Sequence, residues 1–267
     1  MKLHIAYRIY PKVSKPTIVY EQDKLLLAQT CLRSFVVSLG QIKPAIHFIL
    51  DGCPEDYEKM VLREVPSDWL TTIEKTNGIG NKATFGRQLD VLSHANKSIV
   101  MFAEDDYIYK PLAMERFLND LERSDWDYAT PYRHPDLRNI HGWAAYFNGL
   151  KHVDNAPFRQ IPSTCMTFLC MSNSLALLSP LREYTKGRCD ADMWLGITAS
   201  THQILSTWLW AMRHKNLQFK YIAQGAFKMK LRHPRRRCLI EPEYNVATHA
   251  EKKFLSDGDN WIEYTLL

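Results

Sequence analysis

The stretch Ser98–Tyr109, SIVMFAEDDYIY, decides how this chain is read. Ser98 to Ala103 is mostly apolar and has the length of a short buried strand. Three carboxylates follow at once: Glu104, Asp105 and Asp106. Adjacent like charges repel, and solubility alone does not call for three of them at the end of a core strand. A divalent cation would relieve the repulsion, because Mg²⁺ and Mn²⁺ prefer oxygen ligands. An acidic, solvated turn leading into the helix that Pro111 begins would use the same residues. The triplet by itself leaves both readings open.

Upstream, the chain alternates strand and helix. Leu3–Tyr7 alternates as a strand, followed by the loop RIYPKVSKP. Leu25, Ala28, Leu32, Phe35, Val36 and Leu39 share one helical face, which Gly40 ends. Ile46–Leu50 is a second strand stopping at Asp51-Gly52, and Pro54 opens a helix with Tyr57, Met60 and Val61 facing inward. Thr71–Glu74 makes a third strand, then TNGIGNKATFGRQ turns into a helix burying Phe85, Leu89 and Leu92. Ser98–Ala103 is the fourth strand. Such alternation implies a mostly parallel sheet with helices on its faces. Ligands in such sheets sit beyond the carboxyl ends of the strands. The polar loops at Arg8–Lys15, Asp51-Gly52, Asn77–Lys82 and Glu104–Asp106 all follow strands and should gather on one edge. That convergence favours a site over a solvated turn.

Downstream, Met114, Phe117, Leu118 and Leu121 mark an amphipathic helix. Strands are expected at Trp126–Thr130, Ser163–Ser172 and Phe219–Ala223, and a short helix at Leu175–Leu181. Residues 202–216 read as an aromatic-rich helix with a mostly buried stripe of Leu205, Trp208, Leu209 and Met212. Residues 228–237, KMKLRHPRRR, are strongly basic without an acid and read as a solvated loop suited to phosphates, nucleic acid or an anionic membrane.

With 267 residues, 46% of them hydrophobic, the chain can bury a full core. No apolar run approaches the roughly 18 residues that cross a bilayer. The six cysteines lack zinc-like spacing and a disulfide ladder, so reduced thiols in a cytoplasmic protein are expected. The N-terminal MKLHIAYRIYP enters a strand directly, without a signal-peptide cleavage pattern.

The first 110 residues resemble the nucleotide-binding half of a GT-A-type glycosyltransferase of the family-2-like kind. The resemblance implies an α/β, Rossmann-like fold: a mostly parallel central sheet with helices on both faces, in a single domain with a C-terminal extension. Residues 1–110 would bind a nucleotide-sugar donor, and 111–267 would bind the acceptor and carry catalysis. By the same resemblance, Glu104-Asp105-Asp106 stands for the acidic motif that holds Mn²⁺ or Mg²⁺ against the donor's pyrophosphate. Asp106 would be the metal ligand, with Glu104 and Asp105 near the ribose or a metal-bound water. His249, in EYNVATHAE, would be the second metal ligand. Tyr7 and Arg8 would form the base-contacting wall, Asp51 would contact the nucleoside, and Asn81 and Lys82 would touch the donor. A role for Asp51 beside the N-cap of the following helix is the alternative. Arg87 is a phosphate contact or a solvated helix residue.

Cys189-Asp190-Ala191-Asp192-Met193-Trp194-Leu195 resembles the family's later acidic motif, with Cys189 where Glu is usual. Asp190 matches the general base and Asp192 is the runner-up; helix capping would also explain both. Arg235, Arg236 and Arg237 would lie over the pyrophosphate as a flap or face a polyanionic acceptor. The implied reaction moves a sugar from a UDP- or GDP-type donor to an acceptor hydroxyl, inverting through an Asp base. The acceptor would be a glycan, a lipid-linked saccharide or a hydroxylated base in DNA. A nucleotidyltransferase would also use metal and carboxylates, but its glycine-rich phosphate loop should stand where this chain has RIYPKVSKP. A non-catalytic nucleic-acid-binding protein would leave both acidic constellations unexplained.

Overall fold

A computed structural model describes residues 2–13, 15–95, 98–139, 153, 156–171 and 175–266. Strands β1 (Leu3–Ile9), β2 (Ala45–Asp51), β3 (Leu70–Thr76) and β4 (Ile99–Glu104) alternate with helices α1 (Lys24–Ser38), α2 (Glu55–Glu64) and α3 (Asn81–Ser93). Every element expected in this half is present, with boundaries shifted by a residue or two. β5 (Tyr107–Tyr109) and α4 (Ala113–Leu121) follow, then β6 (Tyr128–Ala129), α5 (Asp136–Asn139), β7 (Phe158–Gln160) and β8 (Phe168–Met171). The chain continues through α6 (Leu175–Leu181), α7 (Asp190–Thr198), α8 (Thr201–Arg213) and α9 (Leu217–Arg232) to β9 (Leu239–Pro242) and β10 (Ala247–His249).

Eight strands form one sheet in the order β3-β2-β1-β4-β8-β6-β9-β7, while β5 and β10 make a separate antiparallel ribbon. β1 to β4 are mutually parallel, β8 runs antiparallel between β4 and β6, and β9 lies parallel to β6. The central sheet is therefore mostly parallel, as expected.

Its middle strands are apolar on both faces because both faces are covered. Ile5, Tyr7 and Ile9 of β1 and Met101 and Ala103 of β4 pack with residues of α1, α2 and α4. The alternate residues Ala6, Val100 and Phe102 pack on the other side with α3, α6 and α7. Period-two alternation thus feeds two cores from one sheet. On the second face Phe102 stacks on Phe168 with ring centroids 4.6 Å apart, and Trp194 meets Phe168 edge-on at 4.9 Å. The C-terminal segment returns to α1, where Trp261 packs among Leu27, Cys31, Ile108 and Ala250.

The second half departs from the sequence reading in three places. Phe219–Ala223 is not a strand; it lies inside α9. Phe219, Ile222, Ala223 and Ala226 are buried at helical spacing, and the Asn216 side chain accepts the Phe219 amide at 3.1 Å as N-cap. The basic run is helical up to Arg232 instead of a loop from its start. The stripe on α8 is turned outward: Ile204, Thr207 and Ala211 are buried, whereas Leu205, Leu209 and Met212 are 51%, 54% and 46% exposed. The expected strands at Trp126–Thr130 and Ser163–Ser172 shorten to β6 and β8, with Ser172 outside the described residues.

Phe102→Ala should cost about 3–5 kcal/mol, because it opens a cavity between Phe85 and Phe168 at the centre of a covered face. The midpoint of urea unfolding measures it.

Candidate functional site

The carboxyl ends of β1, β2 and β4 open into a cleft of ≈370 Å³ lined by Arg8, Tyr10, Lys12, Asp51, Asn81, Thr84 and the acidic triplet, among others. The turn between β3 and α3 forms one wall, and Asp51 builds it. One oxygen of Asp51 accepts the Thr76 hydroxyl and the Ile79 amide, both at 2.7 Å; the other accepts the Gly80 amide at 2.8 Å. Burial would push its carboxyl up, but the hydrogen bonds from Thr76, Gly80, Ile79 and Gly78 hold it below its usual range. Gly78 and Gly80 have φ of 69° and 84°, a backbone region that favours glycine. Asp51 does not cap α2, whose N-cap residue Pro54 has no side-chain cap.

The three carboxylates are treated differently. Glu104 lies in register opposite Arg8 on the neighbouring strand. Its Oε1 accepts from the Arg8 guanidinium at 2.5 Å and its Oε2 from the Thr167 hydroxyl at 3.3 Å. Arg8 also donates to the backbone and side-chain oxygens of Asn81 at 2.9 and 2.5 Å, fixing the start of α3. Burial disfavours the guanidinium charge, but the charge and hydrogen bond of Glu104 more than compensate, so Arg8 is held more firmly protonated. Asp105 is buried and pairs with Lys24 at 2.9 Å, while its Oδ2 accepts the Tyr10 amide at 3.1 Å. Burial raises the Asp105 carboxyl, with Lys24 opposing and Asp106 adding to the rise.

Asp106 has the weakest partner. Its Oδ2 is 3.4 Å from His249 Nε2, and its buried Oδ1 has no hydrogen-bond partner. The β5–β10 ribbon brings these residues together by pairing His249 with Tyr107, and the Ala250 amide donates to the Asp106 carbonyl at 2.7 Å. His249 Nδ1 accepts the Glu251 amide at 3.1 Å. A neutral ring in that arrangement carries its proton on Nε2, facing Asp106. No group of three or more His, Cys, Asp or Glu suited to a metal ion occurs among the described residues. The orphaned oxygen of Asp106 nevertheless fits a hard cation that takes its remaining ligands from water and phosphate. His249 could supply nitrogen to the same ion only with its proton moved to Nδ1 and the Glu251 contact released.

A second pocket of ≈210 Å³ is lined by His134, Asp136, Ser163, Thr164, Cys165, Asp190 and Gln218 together with apolar residues. Asp190 is the first residue of α7, and its Oδ1 accepts the Ala191 amide at 2.8 Å. Burial raises its carboxyl, opposed by that amide and by the charge of Lys15. Cys165 lines the same pocket, and burial first, then the charges of Asp190, Glu104 and Asp106, push its thiol up. Asp192 faces elsewhere. It is buried against Gly225 of α9, with Arg188 3.4 Å away, and Arg188 also donates to the Gly225 carbonyl at 2.8 Å. The Cys189 thiol accepts the Asp192 amide at 3.4 Å as the helix cap.

Arg8, Asp51, Asn81, Glu104, Asp105 and Asp106 therefore meet in one cleft, with His249 joined to it through Asp106, and Asp190 set in the second pocket. Three sequence expectations are corrected. Tyr7 is 0% exposed, with its ring between Phe35 and Phe48, so it cannot touch a ligand; strand alternation turns it into the core and leaves Arg8 at the edge. Lys82 is exposed on α3 and does not line the cleft. The arginine run does not form a flap: Arg236 donates to the Thr198 carbonyl at 2.8 Å and the Arg237 amide to Ile197 at 3.0 Å, at the opposite end of α7 from Asp190. Arg87 is a surface residue paired with Glu74 at 2.8 Å. The sequence reading missed Lys24. The available signal was a lysine in the first turn of α1, where the helix dipole disfavours a cation. Thr167 and Tyr10 carried no such signal.

No family model and no curated protein matches this chain. Among solved structures, the chain is similar to residues 1–349 of S. aureus TarS in complex with UDP-GlcNAc, at 10% identity and TM-score 0.45, covering 87% of this chain and 73% of that one. It is also similar to a protein described as a nucleotide-diphospho-sugar transferase from Desulfovibrio desulfuricans, at 12% identity and TM-score 0.44, over 90% and 80% of the two chains. A third likeness is to 4-diphosphocytidyl-2C-methyl-D-erythritol synthase from Anaerococcus prevotii, at 10% identity and TM-score 0.44, over 99% and 95%. Against a longer TarS chain the match covers 30% of that chain.

Lys24→Met leaves Asp105 buried without a counterion and should cost about 3–5 kcal/mol. Removing Lys24 pushes the Asp105 carboxyl further up, so a proton replaces the lost charge more readily in acid. The loss should be smaller at about pH 5 than at about pH 8. Chemical denaturation at the two pH values tests both magnitude and sign.

Proposed function

We propose that this chain is a metal-dependent glycosyltransferase of GT-A type, moving a sugar from a UDP- or GDP-type nucleotide-sugar to an acceptor hydroxyl. The observation that carries the reading is the unequal neutralisation of the triplet. Glu104 and Asp105 have internal cations in Arg8 and Lys24, whereas Asp106 keeps a buried, unpartnered oxygen at the cleft. A bound cation would complete that set. Residues 1–110 supply most of the donor cleft, and residues 111–267 supply His249, Asp190 and the acceptor pocket.

In this reading Asp106 would hold Mn²⁺ or Mg²⁺, with His249 as the second ligand once its Nδ1 carries the proton. Bound there, the ion would supply Lewis-acid stabilisation of charge on the departing diphosphate. Arg8 and Asp51 shape the donor wall by fixing Asn81 and the turn before α3, and Lys12 offers a further positive charge to the phosphates. The acceptor oxygen forms its bond to the anomeric carbon as the bond to the diphosphate breaks. Asp190 takes the hydroxyl proton, and the electron pair leaves with the diphosphate. Such direct displacement inverts the anomeric centre. Asp192, held between Arg188 and Gly225, lies outside the lining of the acceptor pocket and positions α7.

The acceptor pocket supports a saccharide over DNA. Its polar lining consists of His134, Asp136, Ser163, Thr164, Asp190 and Gln218, groups suited to hydroxyls, with no Lys or Arg among the described residues that line it. DNA would require cations along a phosphate path. No helix among the described residues is long and apolar enough to cross a membrane. The nucleotidyltransferase reading has no glycine loop after β1 to build on.

Incubation with a panel of nucleotide-sugars and Mn²⁺ should release nucleoside diphosphate from at least one. No release and no thermal shift with any donor would sink the reading. Asp106→Ala should abolish metal-dependent donor binding in calorimetry. Asp190→Asn should retain donor binding and lower transfer by about a thousandfold or more. Because burial raises the Asp190 carboxyl, transfer should fall with falling pH at a higher value than for an ordinary carboxylate. The same shift means that ionised Asp190 opposes folding at neutral pH, so Asp190→Asn should raise Tm there and lose that advantage in acid.

A further inference from the structure

We propose that the α8–α9 hairpin is a docking face for an anionic membrane surface. This inference does not depend on the transfer reading. Seven of the fifteen exposed large hydrophobic side chains among the described residues lie on these two helices. On α8, Leu205, Leu209 and Met212 form one outward stripe at i, i+4 and i+7 spacing. On α9, Leu217, Tyr221 and Leu231 are 63%, 65% and 71% exposed. Between the helices runs an open groove of ≈510 Å³, lined by Leu205, Trp208, Phe227 and Lys228 among others.

The charge of the same segment selects the occupant. From Met193 to Ile240 the chain has nine Lys or Arg and no Asp or Glu. Arg213, Lys215 and Lys220, at or near the turn between the helices, and Lys228 and Arg235 beyond it, are all solvent-exposed or nearly so. Helices with Leu, Trp and Phe on one side and Lys or Arg around them suit the headgroup region of a bilayer, where apolar burial and attraction to anionic lipid add. A second copy of the same face would bring two sets of exposed Lys and Arg together. Nucleic acid would use the cations but leave the exposed leucines unburied. The opposite side of α9 presents Gln218, Phe219 and Ile222 to the Asp190 pocket, so one helix joins the docking face to that pocket.

Flotation of the intact chain tests this, using phosphatidylcholine vesicles with and without about one third phosphatidylglycerol. The protein should float with the anionic vesicles only, and binding should fall steeply as salt is raised. Leu209→Glu and the pair Lys220→Glu/Lys228→Glu should each lower partitioning about tenfold or more, with circular dichroism melts close to the parent. Trp208 fluorescence in the parent should be quenched by brominated anionic lipid, and Trp208→Phe should lose that component; this readout holds even if a charge variant fails to fold. Absence of flotation with anionic vesicles at low salt overturns the proposal, as does unchanged partitioning of folded Leu209→Glu. So does a stable dimer that Leu209→Glu dissociates, or salt-dependent binding to duplex DNA without binding to vesicles.

Discussion

Three carboxylates in a row at the end of β4 cannot share a half-buried edge unless cations or hydrogen-bond donors reach them. That constraint ties together parts of the chain distant in sequence. Arg8 arrives from the strand beside β4, Lys24 from the first turn of α1, and His249 from β10. Ion pairs of this kind add little net stability, since desolvation offsets much of the attraction, but breaking one leaves an exposed penalty. Their effect is to specify one arrangement of β1, α1 and the β5–β10 ribbon around the acidic turn.

The same constraint divides labour within the triplet. Glu104 and Asp105 are occupied: one bonded to Arg8 and Thr167, the other to Lys24 and the Tyr10 amide. Asp106 keeps an oxygen with no partner. Asp51, which the resemblance places against the nucleoside, spends its oxygens on Thr76, Ile79 and Gly80 and shapes the wall of the cleft from behind. Asp190 stands apart, at a helix start beside a different pocket. The separation keeps a buried acid of raised pKa away from Arg8 and Lys24, which would pull it down.

Legibility followed local periodicity. The first four strands and their helices were readable because fully buried parallel strands and amphipathic helices imprint their burial on neighbouring residues. The edge that gathers Arg8, Asp51, Asn81 and the triplet followed from strand order alone. FKYIA at 219–223 misled because its apolar and aromatic residues fit either a strand or a helix, and the deciding pattern extends to Ala226 with the Asn216 cap. The α8 stripe misled for another reason. Leu205, Leu209 and Met212 have helical spacing, but spacing does not tell which face meets the neighbouring helix, and α9 packs on Ile204 and Ala211.

By itself the sequence determined the alternating α/β series, the edge on which polar loops collect, and the presence of two separate acidic constellations. These depend on neighbours within a few residues, where covalent spacing fixes direction. Only the tertiary structure decided which acids are neutralised, that Tyr7 is core while Arg8 is at the site, that Asp192 supports a helix, and that the arginine run lies at the far end of α7. Those outcomes rest on pairings across long sequence separations, such as Lys24 with Asp105 and His249 with Asp106, which no local pattern encodes. The acidic stretch that opened the reading named a place for charge, and the fold chose the one carboxylate left able to hold it.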